Sequence, residues 1–187
     1  MTKPLLSDDD FECAAKELNC EVAAIKAVCK VEAPRGGFLD DNHPAILFER
    51  HIFSKRTGHK YDALHPNISN VKPGGYLGGM QEYSRFSIAK GLDDEAAKMS
   101  CSWGKFQLMG FNYYQCGYDD ISGFLCAMYN SEQDHLNAFV AFLKNTDLDK
   151  KLSALDWAGF AKGYNGPNYS INQYDVKLKV AYESFKG

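Results

Sequence analysis

The sequence predicts a mainly α-helical domain with at most a small sheet, on three observations. Helix-start signals recur along it: Ser7 with Asp10, then Asp93, then Ser131 with Asp134, each ahead of a run of helix formers. Leu136, Phe139, Val140 and Leu143 fall at the i, i+3, i+4, i+7 spacing of one apolar helical stripe. The short apolar run in "PAILFERHIF" is the one stretch that reads as strand, and periodicity leaves it equally readable as a buried helical turn.

Taken in order, "DDFECAAKEL" continues the helix opened at Ser7, and Asn19 or Cys20 separates it from a second helix. That second helix carries Ile25, Val28, Val31 and Glu32 before Pro34, Gly36 and Gly37 break it. Residues 58–79, rich in Gly, Pro, Asn and His, read as irregular loop. A loop that long in a compact domain hints at a functional role. Helical patterns resume at Met80, Asp93 caps "DEAAKM", and "WGKFQLMGFNYYQ" is expected to continue as helix after Ser102. "EQDHLNAFVAFLKN" follows, then "LDWAGFAKGYNG" closed by Gly163 or Gly166, then the amphipathic "INQYDVKLKVAYESF". Without repeats or linkers, residues 1–187 are expected to form one domain.

Composition bounds function less tightly. A net charge of −3 gives no overall basic field to draw nucleic acid or anionic membrane. No apolar run has signal-peptide or membrane-span character, so no signal peptide and no stable membrane insertion are expected. Cytoplasmic retention follows unless something else releases the chain. The cysteines at 13, 20, 29, 101, 116 and 126 lack CxxC spacing, which predicts buried reduced thiols. The histidines lack HExxH spacing, so no metal or cofactor is assigned. Eleven Tyr and twelve Phe suit a carbohydrate cleft, although core packing accounts for most of them.

Three short features carry candidate chemistry. Glu32 closes a helix, where the helix dipole disfavours an acid. Apolar neighbours would raise its pKa further, as a general acid near neutral pH requires. The alternative is a solvated glutamate. In "SWGKFQLMG", Ser102, Gly104 and Gln107 offer a close backbone approach and an amide able to donate and accept. The alternative is an ordinary buried helix start with Trp103, Phe106 and Leu108 in the core. In "GYNGPNY", the Tyr164 hydroxyl could hold the acid's proton, or Asn165 and Gly166 could simply end a helix.

In this order, a Glu closing a helix, Ser-x-Gly-x-x-Gln and a late Tyr-Asn-Gly resemble the lysozyme-like superfamily. More specifically, "VEAPRGGFL", "PAILFERHIF", "PGGYLGGMQEYSRF", "SCSWGKFQLMGFNYYQCGY" and "FAKGYNGPNY" are similar to the N-acetylmuramidase family of phage endolysins. The resemblance spans about residues 20–185, and departs from the family where Ala33 replaces the usual Ser after the acid. It implies a lysozyme-like helical domain with a small β element beside the cleft, and no separate wall-binding domain. It also implies hydrolysis of the β-1,4 bond between N-acetylmuramic acid and N-acetylglucosamine. Glu32 would be the proton donor and Glu49, in "LFERH", the second acid; a salt bridge from Glu49 to Arg50 or another base is the competing reading.

Gln107, Tyr164 and Asn165 would orient the acid or the N-acetyl group, with Ser102 and Gly104 beside them. Tyr76, Tyr83 and Trp103 would line the glycan groove. The implied partner is peptidoglycan glycan strands, met by a monomer that accumulates in a host cytoplasm before lysis. A lytic transglycosylase, and a non-catalytic peptidoglycan-binding module, are the rival readings.

Overall fold

The structure is a computed structural model, described for residues 3–34, 36–167 and 169–186. In chain order it runs α1 (Asp8–Glu17), α2 (Val22–Glu32), β1 (Ile46–Phe48), α3 (Arg50–Arg56), α4 (Met80–Leu92) and α5 (Asp94–Met99). It continues through β2 (Cys101–Trp103), β3 (Leu108–Met109), α6 (Ile121–Asn130), α7 (Glu132–Asn145), α8 (Leu148–Ser153), α9 (Trp157–Asn165) and α10 (Tyr174–Phe185). The fold is thus mainly helical with one small sheet, as the sequence predicts.

The predicted helix starts are real caps. Ser7 and Asp10 form a capping box, and Asp93 and Ser131 accept from Ala96 N–H and Asp134 N–H respectively. The predicted stripe of α7 is fully buried, and Phe139 stacks on Phe106 with ring centroids 4.3 Å apart. This helix is the spine on which the sheet side and the C-terminal helices meet. On the other side, α2 packs against α1 and α10, and α9 packs against α10. The C-terminal ends of α2 and α9 converge through that packing.

"PAILFERHIF" is both of the things its pattern allowed. Ile46–Phe48 is a strand, Glu49 breaks the chain in extended geometry, and a helix begins at Arg50. β1 pairs antiparallel with β2, Ile46 facing Trp103 and Phe48 facing Cys101. β2 pairs antiparallel with β3, Ser102 facing Met109 and Trp103 facing Leu108.

"WGKFQLMGFNYYQ" is not the helix that was expected. It is the β2–β3 hairpin followed by a short 3-10 helix at Gly110–Asn112. The reason is local: Gly104 and Gln107 both have positive φ, +70° and +49°, which no right-handed helix accommodates. A Cβ at Gly104 would stand 2.9 Å from the His135 ring, so the turn also needs glycine for space.

Three further corrections follow. Helix α6, which the sequence reading leaves out, is capped by Asp120 on Gly123 N–H. The last helix starts at Tyr174, after a 3-10 turn at Tyr169–Asn172 and a left-handed Gln173. The cysteines are all free, but only Cys29, Cys101 and Cys116 are buried; Cys20 is half-buried, and Cys13 and Cys126 are exposed. Helix periodicity turns Cys13 and Cys126 outward, away from the faces that pack.

Candidate active site

Glu32 is the last residue of α2, and Ala33 caps the helix with its backbone N–H on the Cys29 carbonyl at 2.9 Å. Its carboxyl is largely enclosed, and burial pushes its pKa up. The hydrogen bond from Asn165 and the charge of Lys177 on α10 pull the other way and are outweighed. Asn165, the last residue of α9, donates Nδ2–H to Glu32 Oε2 at 3.0 Å. Among the described residues Glu32 Oε1 meets no hydrogen-bond partner. One carboxyl oxygen is therefore held, and the other is left for an acceptor such as a glycosidic oxygen.

The β2–β3 hairpin supplies the floor. Ser102 Oγ donates to Gln107 Oε1 at 2.8 Å, while Gln107 Nε2 donates to the Gly104 and Ala45 carbonyls at 2.8 and 3.2 Å. Gln107 is thus pinned from three sides, and Ser102 serves the hairpin rather than the acid. Lys105 follows Gly104, and its backbone N–H donates to Nδ1 of the buried His135. His135 Nε2 lies 2.7 Å from the Met128 carbonyl, a geometry that places the ring proton on Nε2.

Glu49 faces the same cleft from the start of α3. A depression of about 480 Å³ is lined by both carboxylates together with Ser102, Gln107, Tyr164 and Asn165. A second depression of about 260 Å³ lies across Glu32 and Gln107, walled by Pro34, Gly36, Leu47, Gly78 and Lys105. The two share Glu32 and Gln107, so the raised-pKa acid sits between two hollows. That is the arrangement an acid needs to act in the middle of a bound polymer. Of the bases that could pair with Glu49, Arg50 makes no bridge among the described contacts, and His51 is the one beside the carboxylate. Glu49 instead meets the Tyr76 hydroxyl at 2.9 and 3.1 Å and His51 Nδ1 at 3.1 Å, while Arg50 binds loop carbonyls.

The aromatic expectations divide. Tyr76 is 46% exposed and lines a neighbouring depression with His65, Leu77 and Ile88 rather than either hollow, touching the cleft through its hydroxyl on Glu49. Trp103 is 1% exposed, and its indole N–H donates to the Lys98 carbonyl. It is core, because β2 is buried on both faces. Tyr83 is spent on the Pro44 carbonyl at 2.7 Å and lines neither hollow. Tyr164 does line the cleft, but its hydroxyl donates to the Phe106 carbonyl at 2.7 Å rather than holding the Glu32 proton.

Sequence reasoning missed His51, Lys177 and the buried pair Glu82–Arg85. Glu82 is 0% exposed and accepts from Phe48, Leu77 and Gly78 N–H and from Arg85 Nη1. The i, i+3 spacing of Glu82 and Arg85 was visible, but surface pairs share it, so it carried no signal of burial.

Known proteins match this geometry. The N-acetylmuramidase family pattern matches residues 21–186. The crystal structure of Burkholderia AP3 phage endolysin is similar with a TM-score of 0.90 at 40% identity, covering 97% of this chain and 70% of that one. No curated protein sequence matches the chain. With the family pattern spanning α2 to α10 and both cleft acids lying inside it, the chain belongs to the N-acetylmuramidase family, a peptidoglycan-degrading glycoside hydrolase of the endolysin type.

Proposed function

We propose that this muramidase hydrolyses the β-1,4 bond between N-acetylmuramic acid and N-acetylglucosamine with Glu32 as general acid and Glu49 as the second carboxylate. The observation that supports this reading is the shared cleft, in which burial raises Glu32 while Glu49 keeps hydrogen-bond donors on its oxygens. Glu32 donates its proton to the departing glycosidic oxygen. Glu49 stabilises the oxocarbenium-like transition state or takes a proton from the attacking water. Asn165 orients Glu32, and Gln107, its two N–H groups spent on carbonyls, offers the free lone pair of a fixed Oε1 to the sugar.

The partner is the glycan strand of peptidoglycan, bound by a monomer whose chain serves as one catalytic domain. Among the described residues no helix is long and apolar enough to cross a membrane. We read the setting as a host cytoplasm, with access to the wall once the inner membrane is opened.

The test is Glu32→Gln on outer-membrane-stripped Gram-negative walls. Turnover should fall by at least ~10²-fold, the usual worth of a general acid. Clearance at the wild-type rate would remove Glu32 from the reaction. Products should carry ordinary reducing ends; a dominant 1,6-anhydro product, lighter by one water, would make the enzyme a transglycosylase instead.

A further inference from the structure

Residues 49–51 sit at one turn of chain, yet Arg50 sends its side chain away from Glu49 and His51. Glu49 is the N-cap residue of α3, where an acid ordinarily accepts a backbone N–H of the first turn. Here it makes no side-chain cap. Its carboxylate turns to the cleft and is 15% exposed, accepting from the Tyr76 hydroxyl on both oxygens, with His51 Nδ1 3.1 Å from Oε2. Arg50 reaches the other way, donating Nε–H to Lys72 O at 2.9 Å and Nη2–H to Pro73 O at 3.1 Å.

Those carbonyls belong to the segment that carries Tyr76. Arg50 ties it at residues 72–73, and the buried Glu82 ties it at the N–H groups of Leu77 and Gly78. Between the ties, Gly74 and Gly75 take positive φ and turn the chain so that Tyr76 reaches back to Glu49. A loop of this length with no regular structure is thus anchored at both ends around one hydroxyl.

We propose that Tyr76 is a positioning residue for Glu49, its hydroxyl holding the carboxylate aimed into the cleft for the half of the reaction that follows proton donation. This deepens the reading of Glu49 as second carboxylate and rests on it. A hydroxyl shared between the two oxygens of a carboxylate restricts that carboxylate's rotamer. Burial, then the adjacent Glu49, push the Tyr76 phenol up, so it remains a donor through neutral pH. The other ionisable groups around this cluster are Arg85 of α4, held on Glu82, Cys101 of β2, and Glu32 across the cleft. Arg85 is occupied by Glu82 and by the Phe48 and Asn67 carbonyls, which leaves the Tyr76 hydroxyl as the donor to Glu49, with the His51 ring nearby but without a hydrogen bond among the described residues.

The experiment compares Tyr76→Phe and Glu49→Gln with the parent on purified peptidoglycan, with kcat and KM resolved. Tyr76→Phe keeps the ring and the loop and removes only the donor. It should lower kcat about tenfold and leave KM within about twofold. A parental kcat in Tyr76→Phe, or a change confined to KM, overturns the inference while an inactive Glu49→Gln leaves the reading of Glu49 intact. An active Glu49→Gln overturns both.

Discussion

Asn165 donates Nδ2–H to Glu32 Oε2 at 3.0 Å, joining the last residue of α9 to the last residue of α2 across 133 positions of sequence. That bond favours the charged form of Glu32 against the burial that disfavours it. Asn165→Ala removes the opposing influence and keeps the burial. The basic limb of the kcat/KM profile, which reports loss of the protonated acid, should therefore move to higher pH, with kcat reduced about tenfold. An unmoved basic limb would show that the bond has no hold on the acid.

Glu32 also links stability to pH. Its folded pKa lies above the unfolded value, so its charged form is penalised in the native state. The penalty is absent below the unfolded pKa and develops as pH rises towards and through the folded one. Glu32→Gln should melt with the parent in acid and above it at neutral pH. A gain of about 1 kcal/mol would read as a Tm rise of roughly 2–4 °C in a domain of this size. Equal melting temperatures across the range would argue that the native site does not strain its carboxylate.

Tyr164→Phe separates support from chemistry. Its hydroxyl satisfies the Phe106 carbonyl, and its ring packs on Phe139 and Phe160. Losing the hydroxyl should cost about 1 kcal/mol of stability. The limbs of the pH–rate profile should stay where they are. A shifted basic limb would restore Tyr164 as a partner of the acid.

Glu82→Ala should be the most damaging change away from the cleft acids. It leaves Arg85 buried without its carboxylate and orphans the N–H groups of Phe48, Leu77 and Gly78. Removing one partner of a buried pair costs about 3–5 kcal/mol. Glu82→Ala with Arg85→Met should recover part of that loss in urea melts. No recovery would mean that the backbone bonds, rather than the ion pair, hold the 77–78 segment.

The local chemistry of the chain determined its helices wherever caps and periodicity agreed: Ser7 with Asp10, Asp93, Ser131 with Asp134, and the stripe from Leu136 to Leu143. It also drew attention to Glu32, an acid that helix electrostatics disfavour at a helix end, although position alone suits a solvated glutamate and the family pattern is what made it a candidate acid. Gln107 and Asn165 were legible through the family pattern, not through their own surroundings. The hairpin was not legible, because Trp103, Phe106 and Leu108 suit a helix as well as two strands, and the choice fell to positive φ at Gly104 and Gln107.

Tertiary structure alone decided what each polar side chain is spent on. Trp103 and Tyr83 look like sugar platforms in sequence, yet the Lys98 and Pro44 carbonyls claim them. Glu49 beside Arg50 looks like an ion pair, yet Arg50 leaves to bind the loop and Tyr76 arrives from 27 residues away. Hydrogen-bond donors are exchanged between segments only after packing brings them together, so no local pattern records the exchange. Burial of Glu32 has the same origin: the helix end is written in residues 22–32, but its enclosure comes from α9 and α10 folding back over it.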